Sequence, residues 1–473
     1  MSFLHAGVIE RLLVRLFASS SKFFLDWLSA KLFNDAVDMG LVDTLAGTID
    51  VAVRALNGAD PTAALFESPN ITADNVASVL NSPNMTTAAA ALIFNSAKLS
   101  TTRAGQILNS PNISVSKVKS ILAESDIPAS RVQDILYAMA DQGFFDRLVN
   151  LFTFDRPDAT YSTSTTLTTG VNFLRNVGVA SGVTLTLGAS PCVLVADTLT
   201  NSGTITTNVV KGAGGTPGAS GAGAGGAGRH GIIILTRSIS TGTITADGGN
   251  GAAGTTVAAS AAGGAGGAGL FWEITGFPAG TGGDGGGGGA GAGKKNGGGG
   301  GGGYGYAHPA GGSGGTATVV TYPSGMSLIA DVFKAVIDFW LVNVVGKTPT
   351  TTRSIPALGG SGGGAGTADD GYSAGGGGGG GGGQIIIYGT SITAGSVSAN
   401  GGDGGRGGTE GSYDSGGGGG GGGIIYVFYK SLSGTFTFSV AGGTGGLGAT
   451  GGYGQAYQTG KPGTSGSAVT FAV

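Results

Sequence analysis

The sequence predicts a multidomain chain, α first and then β. N-terminal helices and a short-helix α-solenoid precede an elongated β-solenoid or layered β body with packed polyglycine-II-like segments. Three observations predict it. A fourteen-residue unit repeats through residues 68–137. A module of two short strands recurs from Cys192, Ile232, Ile385 and Ile424. Nearly pure glycine tracts, 282–303, 375–383 and 416–423, lie between the later modules.

Composition sharpens the choice between order and disorder. The chain holds 101 glycines and 14 prolines among 473 residues, a fraction that approaches low-complexity sequence. Yet 40% of residues are hydrophobic and only 11% are charged. Disordered chains have low hydrophobicity and high net charge, so this one is expected to bury a core. A net charge of −3 with no long basic run excludes the electrostatic footprint of a nucleic-acid binder. One cysteine, Cys192, excludes an intrachain disulfide framework and a multi-cysteine metal site. Glu10, Arg11 and Arg15 interrupt the place of an apolar signal core. The expectation is no cleaved signal peptide, so that any extracellular location is reached by assembly or lysis.

Residues 1–53 read as a helical docking or oligomerisation region. Leu4, Val8, Ile9, Leu12, Leu13, Leu16 and Phe17 recur at helical spacing, and Phe23, Phe24, Trp27 and Leu28 continue it. Leu12, Leu16, Phe24 and Trp27 are candidate subunit-docking residues. No apolar run reaches the ~20 residues that span a bilayer. Membrane contact is confined to this helix or to the insert described below.

Residues 54–150 form an α-repeat domain. Its units are SPNITADNVASVLN, SPNMTTAAAALIFN, SAKLSTTRAGQILN, SPNISVSKVKSILA and ESDIPASRVQDILY. Apolar residues take the fourth, ninth, twelfth and thirteenth places. The fifth place is Thr72, Thr86, Ser100, Ser114 or Pro128. Ser and Thr there accept from first-turn amides, and Pro suits the first helical position. Each unit is then a two-turn helix plus a turn, too short to stand alone, so neighbours must stack.

Residues 151–210 switch to a β domain, rich in Thr and Val with period-two alternation. Residues 211–473 are a glycine-rich β/polyglycine domain. "IIIYGTSITAGSVSANGGDGGRG" shows its module: an apolar strand, a polar turn, a second strand, a Gly-Gly exit. "GLFWEITG" (269–276) reads as a degenerate copy. Fixed strands joined by variable glycine tracts suggest stacked rungs. Glycine also permits a three-fold extended helix of ~3.1 Å rise without internal hydrogen bonds. Such strands can bond to one another because no Cβ holds them apart. Ordering each glycine costs ~1–2 kcal/mol of backbone entropy, so only a dense mutual network would offset it. A helical insert, 327–346, carries Asp331, Lys334 and Asp338 beside a wide apolar surface. It is expected to pack on the glycine/β body or on another subunit, with Phe333 and Trp340 as candidate docking residues.

Chemistry is sparse. His5, His230 and His308 lie far apart, and HExxH, GxSxG and P-loop patterns are missing. No catalytic residue, metal ligand or cofactor is assigned. Acids among the glycines do not recur every nine residues, against a calcium β-roll. The one adjacent acidic pair in the glycine region is Asp369-Asp370. Loop aromatics are the better lead. Tyr304, Tyr306, His308, Tyr372, Tyr413, Tyr453 and Tyr457 lie in glycine-rich loops, and a ring with a polar handle suits sugars and protein surfaces. They are the candidate receptor-contact residues.

"VASGVTLTLGASPCVLVADTLTNSGTITT" and "IIIYGTSITAGSVSANGGDGG" resemble the glycine-rich tail-fibre and receptor-binding (adhesin-like) proteins of tailed phages and related viruses. The resemblance covers about residues 160–473. It implies glycine tracts folded as packed polyglycine helices, with variable loops at the tip contacting the host. The α-repeat and the helical insert depart from that pattern, and no receptor residue is carried over by position. The resulting expectation is a non-enzymatic structural and adhesin protein of a virion, as a fibre, spike or tail component. Its partners would be other virion proteins, further copies of itself, and a host surface glycan or protein receptor; its place would be the virion surface. A cellular surface filament or sheath subunit is the alternative, and a polysaccharide depolymerase on a β-solenoid the third.

Overall fold

A Ser or Thr at the fifth place of the repeat starts each short helix. Thr72, Thr86, Ser100 and Ser114 have extended backbones, and their hydroxyls accept from the amide three residues on. In the computed structural model this happens four times in succession, in α4 (Ala73–Asn81), α5 (Thr87–Asn95), α6 (Thr101–Asn109) and α7 (Val115–Ala123). Three helices precede them: α1 (Phe24–Asp38), α2 (Val42–Leu56) and α3 (Ala59–Glu67). Two follow: α8 (Ala129–Asp141) and α9 (Phe145–Thr153). Pro128 is the cap of α8 itself, one place earlier than expected, and makes no side-chain cap bond. The structure describes residues 24–211, 225–254, 268–285, 314–364, 368–369, 373–407, 416–448 and 459–473.

The chain is a helical part followed by a β part. Its described residues form two compact units. The first runs to Phe154 and also includes Ala330–Ser354; the second comprises Asp155–Ile329 and Ile355–Val473. The β domain read from residue 151 begins instead after Phe154, because the helix Phe145–Thr153 still belongs to the first unit, and residues 155–210 and 211–473, read from sequence as separate, share one unit once the insert is set aside.

In the first unit each short helix contacts the helix two places on. The four apolar places of every repeat are buried; Ile71, Val76, Val79 and Leu80 are 1% exposed or less. The eighth place adds a connection that the apolar pattern conceals. Arg103 donates to the carbonyls of Phe66 and Ile71, Lys117 to Met85, and Arg131 to Phe94, Ser96 and Leu99. Arg147 on α9 does the same for Leu108 and Ile113. Arg103, Arg131 and Arg147 thus each satisfy one orphan C-terminal carbonyl of an earlier helix (Phe66, Phe94 and Leu108) and complement its dipole, and all four cations hold a carbonyl of the turn that follows an earlier helix (Ile71, Met85, Leu99 and Ile113). Burial lowers the pKa of Arg103, Lys117, Arg131 and Arg147.

The insert helix, α10 (Gly325–Trp340), changes unit along its length, and its later part belongs to the helical unit. Phe333 stacks on Phe145 with centroids 4.6 Å apart, and Trp340 packs against Phe152 at 5.3 Å. The buried Asp338 carboxylate accepts from Gln133 Nε2 at 2.6 Å, Tyr137 Oη at 2.7 Å and the Arg353 amide at 2.6 Å. Lys334 pairs with Asp141 at 2.6 Å. From Ala330 onward the partner is therefore the helical unit and not the glycine/β body expected from the sequence, while Gly325–Ile329 stays with the β unit. A wide apolar helix face announces that it needs a partner, and does not say which.

In the second unit, long and short strands alternate along the chain. The long ones are Ala159–Tyr161, Val171–Val179, Cys192–Asn201, Ile232–Ser240, Gln384–Thr393, Ile424–Ser433 and Ser467–Ala472. They stack in that order as a seven-stranded parallel sheet. The short ones are Thr165–Leu167, Thr184–Leu187, Thr204–Thr207, Thr243–Thr245, Ser396–Ser398 and Thr437–Ser439. They form a six-stranded parallel sheet in the same order. Leu194, Ile234, Ile387 and Val427 of the long strands share one core with Ile205, Ile244 and Val397 of the short ones. The register is Cys192↔Ile232↔Ile385↔Ile425, so the last module pairs one residue later than its sequence alignment suggests.

The other face of the long sheet is buried as well, which explains the unbroken apolar runs IIIL, IIIY and IIYVF. A separate parallel pair, Gly269–Ile274 with Ala317–Tyr322, covers part of it. Gln384 both accepts from the Trp272 amide (2.9 Å) and donates to its carbonyl (2.6 Å). The Tyr426 hydroxyl accepts from the Ile274 amide and donates to the Phe277 carbonyl, both at 2.9 Å. Burial pushes the Tyr426 phenol well up from its ordinary range. "GLFWEITG" is therefore a cover for the stacked strands and not another copy of the module.

Candidate functional site

Gly416–Gly423 shows how the glycine segments are organised. Gly417, Gly420 and Gly423 donate to the carbonyls of Gly405, Gly402 and Ala399 at 3.0, 2.8 and 2.7 Å. Gly419 and Gly422 donate to Lys461 and Thr464 at 2.9 and 3.0 Å. The tract's carbonyls accept from Gly379 and Gly382, from Gly280 and Gly283, and from Gly443 and Gly446. Every one of these partnerships repeats at three residues, and they reach five other segments of the chain.

A Cβ has no room here. One built on Gly417 or Gly420 would lie 2.1 Å from the carbonyl oxygen of Gly377 or Gly380. On Gly418 and Gly421 it would meet Gly283 and Gly280, and on Gly419 and Gly422, Gly443 and Val440. The three directions around the tract are each closed by a neighbouring backbone, which is the physical reason for the glycine run.

The outward row of segments carries side chains. Asp247 accepts from Thr245, from Ser398 and from the Asn400 amide. Asn400 Oδ1 accepts from Ser439 and the Ala441 amide. Three residues further out, Asn250 Oδ1 accepts from the Asp403 amide, and Asp403 from Thr444. The sequence signal for this ladder is a polar residue every third place, as in ADGGN and ANGGD.

One end of the glycine array joins the β-strands: Gly231, Gly383, Gly423 and Gly466 lead directly into long strands. The other end is where the remaining flanks meet. Gly378 donates to Gly364, Gly363 to Gly226, Gly254 to Arg406, Gly407 to Leu447, and Gly460 to Gly446. Asp284 accepts from the Lys461 amide, and its carboxylate pairs with Lys461 Nζ at 2.8 Å. Residues 226, 254, 284, 364, 406, 447 and 460 are thus neighbours at the end away from the strands.

Tyr304, Tyr306, His308, Tyr372, Tyr413, Tyr453 and Tyr457 lie outside the described residues, as do Leu12 and Leu16. The described flanks of the segments that contain Tyr413 and Tyr453/Tyr457, and the Asp284 side of the segment that contains Tyr304, Tyr306 and His308, belong to this distal end, whereas the flanks of the Tyr372 segment, Asp369 and Ser373, pair with each other. Phe24 and Trp27 are in α1, whose first side chains are not described. Phe333 and Trp340 are fully buried among Phe145 and Phe152 of the same chain, so neither is a surface for another subunit. Asp369 lies in the short strand Ala368–Asp369, and Asp370 lies outside the described residues.

Among the described residues, no group of three His, Cys, Asp or Glu is placed to hold a metal ion. Cys192 is buried with its sulfur 3.2 Å from Thr207 Oγ1, and burial pushes its thiol up, away from a nucleophilic thiolate. The helical unit has an open polar cleft of about 380 Å³ lined by Thr101, Thr102, Asp134, Tyr137, Asp141 and Gln142. Its tyrosine is raised in pKa by burial and by donating to Asp338, so it serves the insert's attachment. No helix among the described residues is long and apolar enough to cross a membrane. No family model, curated protein or solved structure matches the chain.

Proposed function

We propose that the chain is a non-enzymatic attachment protein of a virion, a fibre, spike or tail component displayed on the particle surface. In this reading the stacked strands are a β-solenoid, the glycine array is a polyglycine-II bundle, and the short helices form an α-solenoid that docks to other virion proteins or to further copies of the chain. The bundle is a stiff spacer, and its distal loops contact a host surface glycan or protein. The observation that carries this reading is the gathering of loop flanks at the end of the array remote from the strands. A rigid scaffold that displays several loops at one end is a recurrent design for binding.

The test is to replace 408–415 and 449–458 by short Gly-Ser turns and measure adsorption of the purified chain to intact bacterial cells. Loss of adsorption with unchanged thermal unfolding supports the proposal, and unchanged adsorption contradicts it. Immunogold labelling of virions checks location. Polymerisation of the pure chain into filaments would favour the filament reading. Glycan turnover lost in an Asp369→Ala/Asp370→Ala variant would favour the depolymerase.

A further inference from the structure

The short strands carry a second regular pattern. In Thr184–Leu187, Thr204–Thr207, Thr243–Thr245 and Ser396–Ser398 a central residue, Leu185, Ile205, Ile244 or Val397, points into the core. Its neighbours on either side therefore point to the opposite face. Register places Thr184, Thr204, Thr243, Ser396 and Thr437 in one row across the sheet. Two residues on, Thr166, Thr186, Thr206, Thr245, Ser398 and Ser439 form a second row. Both rows are Ser or Thr throughout. Strand propensity alone does not require this, because Val, Ile and Tyr suit a strand as well, and none stands in either row.

The rows make a two-dimensional lattice. Hydroxyls repeat every ~4.8 Å across strands and about 6.7 Å along them. The second row is pinned by its own bonds. Thr245 and Ser398 donate to Asp247 at 2.8 and 3.0 Å, and Ser439 donates to Asn400 at 2.6 Å. In the first row Thr243, Ser396 and Thr437 are exposed to solvent. The chemistry of the face excludes several ligands. It has no ring on which a sugar could stack. Its rows hold no charged residue for a phosphate, a mineral or a lipid headgroup, and Asp247 at the margin is occupied by its own neighbours. A single peptide or glycan chain presents partners along one line and not on a lattice.

An uncharged surface that repeats hydrogen-bonding oxygens in two dimensions, with gaps that receive methyl groups, is that of ice. We propose that the outer face of the short-strand sheet is an ice-binding surface, its threonine rows ordering water at the crystal face. The proposal is independent of the attachment function.

The test uses the full chain in a frozen sucrose film, scoring ice recrystallisation, together with the shape of a single crystal growing in its solution. The wild type should slow coarsening and facet the crystal. Thr243→Lys and Thr204→Lys, which place a charge in the middle of the first row, should each lose at least tenfold in activity. Ser431→Lys, on the exposed part of a long strand, should lose none. Circular dichroism and thermal midpoint confirm that each variant folds. No effect of the wild type on ice overturns the proposal, as does equal loss in Ser431→Lys. Adsorption to crystalline cellulose or chitin without any effect on ice replaces ice by a polysaccharide lattice and overturns it too.

Discussion

Gly420→Ala puts a single methyl group into the centre of the glycine array. The built Cβ lies 2.1 Å from the Gly380 carbonyl oxygen, whose backbone is itself held by a bond from Gly380 to Gly249. Nonbonded carbon and oxygen normally stay at least ~3.3 Å apart, so one strand must move by about 1 Å. Overpacking of this kind costs about 1–3 kcal/mol. Gly420 also donates to Gly402 and accepts from Gly443, both at 2.8 Å, and weakening both adds about 1 kcal/mol each. The alanine restricts the unfolded chain, which returns about 0.5 kcal/mol. The net expectation is a loss of roughly 3 kcal/mol, which for a unit of this size lowers the midpoint by about 6–12 °C. Differential scanning calorimetry of the full chain measures it. Gly47→Ala is the control, because its Cβ would sit an ordinary 3.7 Å from Asn84 Cβ inside α2, and alanine there gains up to ~1 kcal/mol. A Gly420→Ala protein as stable as the wild type would refute the claim that the glycines are selected by close backbone packing.

Two further predictions concern the helical unit. Arg131→Ala removes donors from the carbonyls of Phe94, Ser96 and Leu99 and should cost about 1–3 kcal/mol in urea unfolding, whereas Arg131→Lys should recover part of the loss. Burial of Asp50 opposes its ionisation, but the hydroxyl and amide of Thr86 and the Arg54 guanidinium outweigh it and hold the carboxyl below its ordinary 3.8. A carboxylate depressed in the folded state contributes stability that is complete above the unfolded value and lost as pH falls through the folded one. Unfolding free energy should therefore fall below about pH 4, and Asp50→Asn should be less stable at neutral pH and show a shallower acid limb.

The apolar places of the fourteen-residue repeat were legible because burial repeats as faithfully as sequence does: Ile71, Met85, Leu99, Ile113 and Ile127 are all buried. The cation ladder escaped because Arg103, Lys117 and Arg131 look like a solvated face. Only the fold brings the earlier carbonyls beneath them. The strand modules were legible as an alignment, yet the one-residue slip at Ile424 was not, since Ile385 set against Ile424, as the alignment has it, and Ile385 paired with Ile425, as in the structure, both preserve an apolar run. The insert's partner was not legible at all. Asp338 reads as one charge among three on an amphipathic helix, and its donors, Gln133 and Tyr137, lie about two hundred positions away. The distal end of the glycine array depends on pairings such as Gly254 with Arg406, which no local pattern encodes.

The central claim is that glycine in this chain is structural. Amide hydrogen exchange across Gly416–Gly423, followed by mass spectrometry of overlapping fragments, tests it most directly. Gly417, Gly419, Gly420, Gly422 and Gly423 donate to carbonyls in the array, so their amides should exchange as slowly as those of the adjoining strand Ile424–Ser433. Exchange of the whole tract at the rate of an unfolded peptide would contradict the account and make these residues a linker.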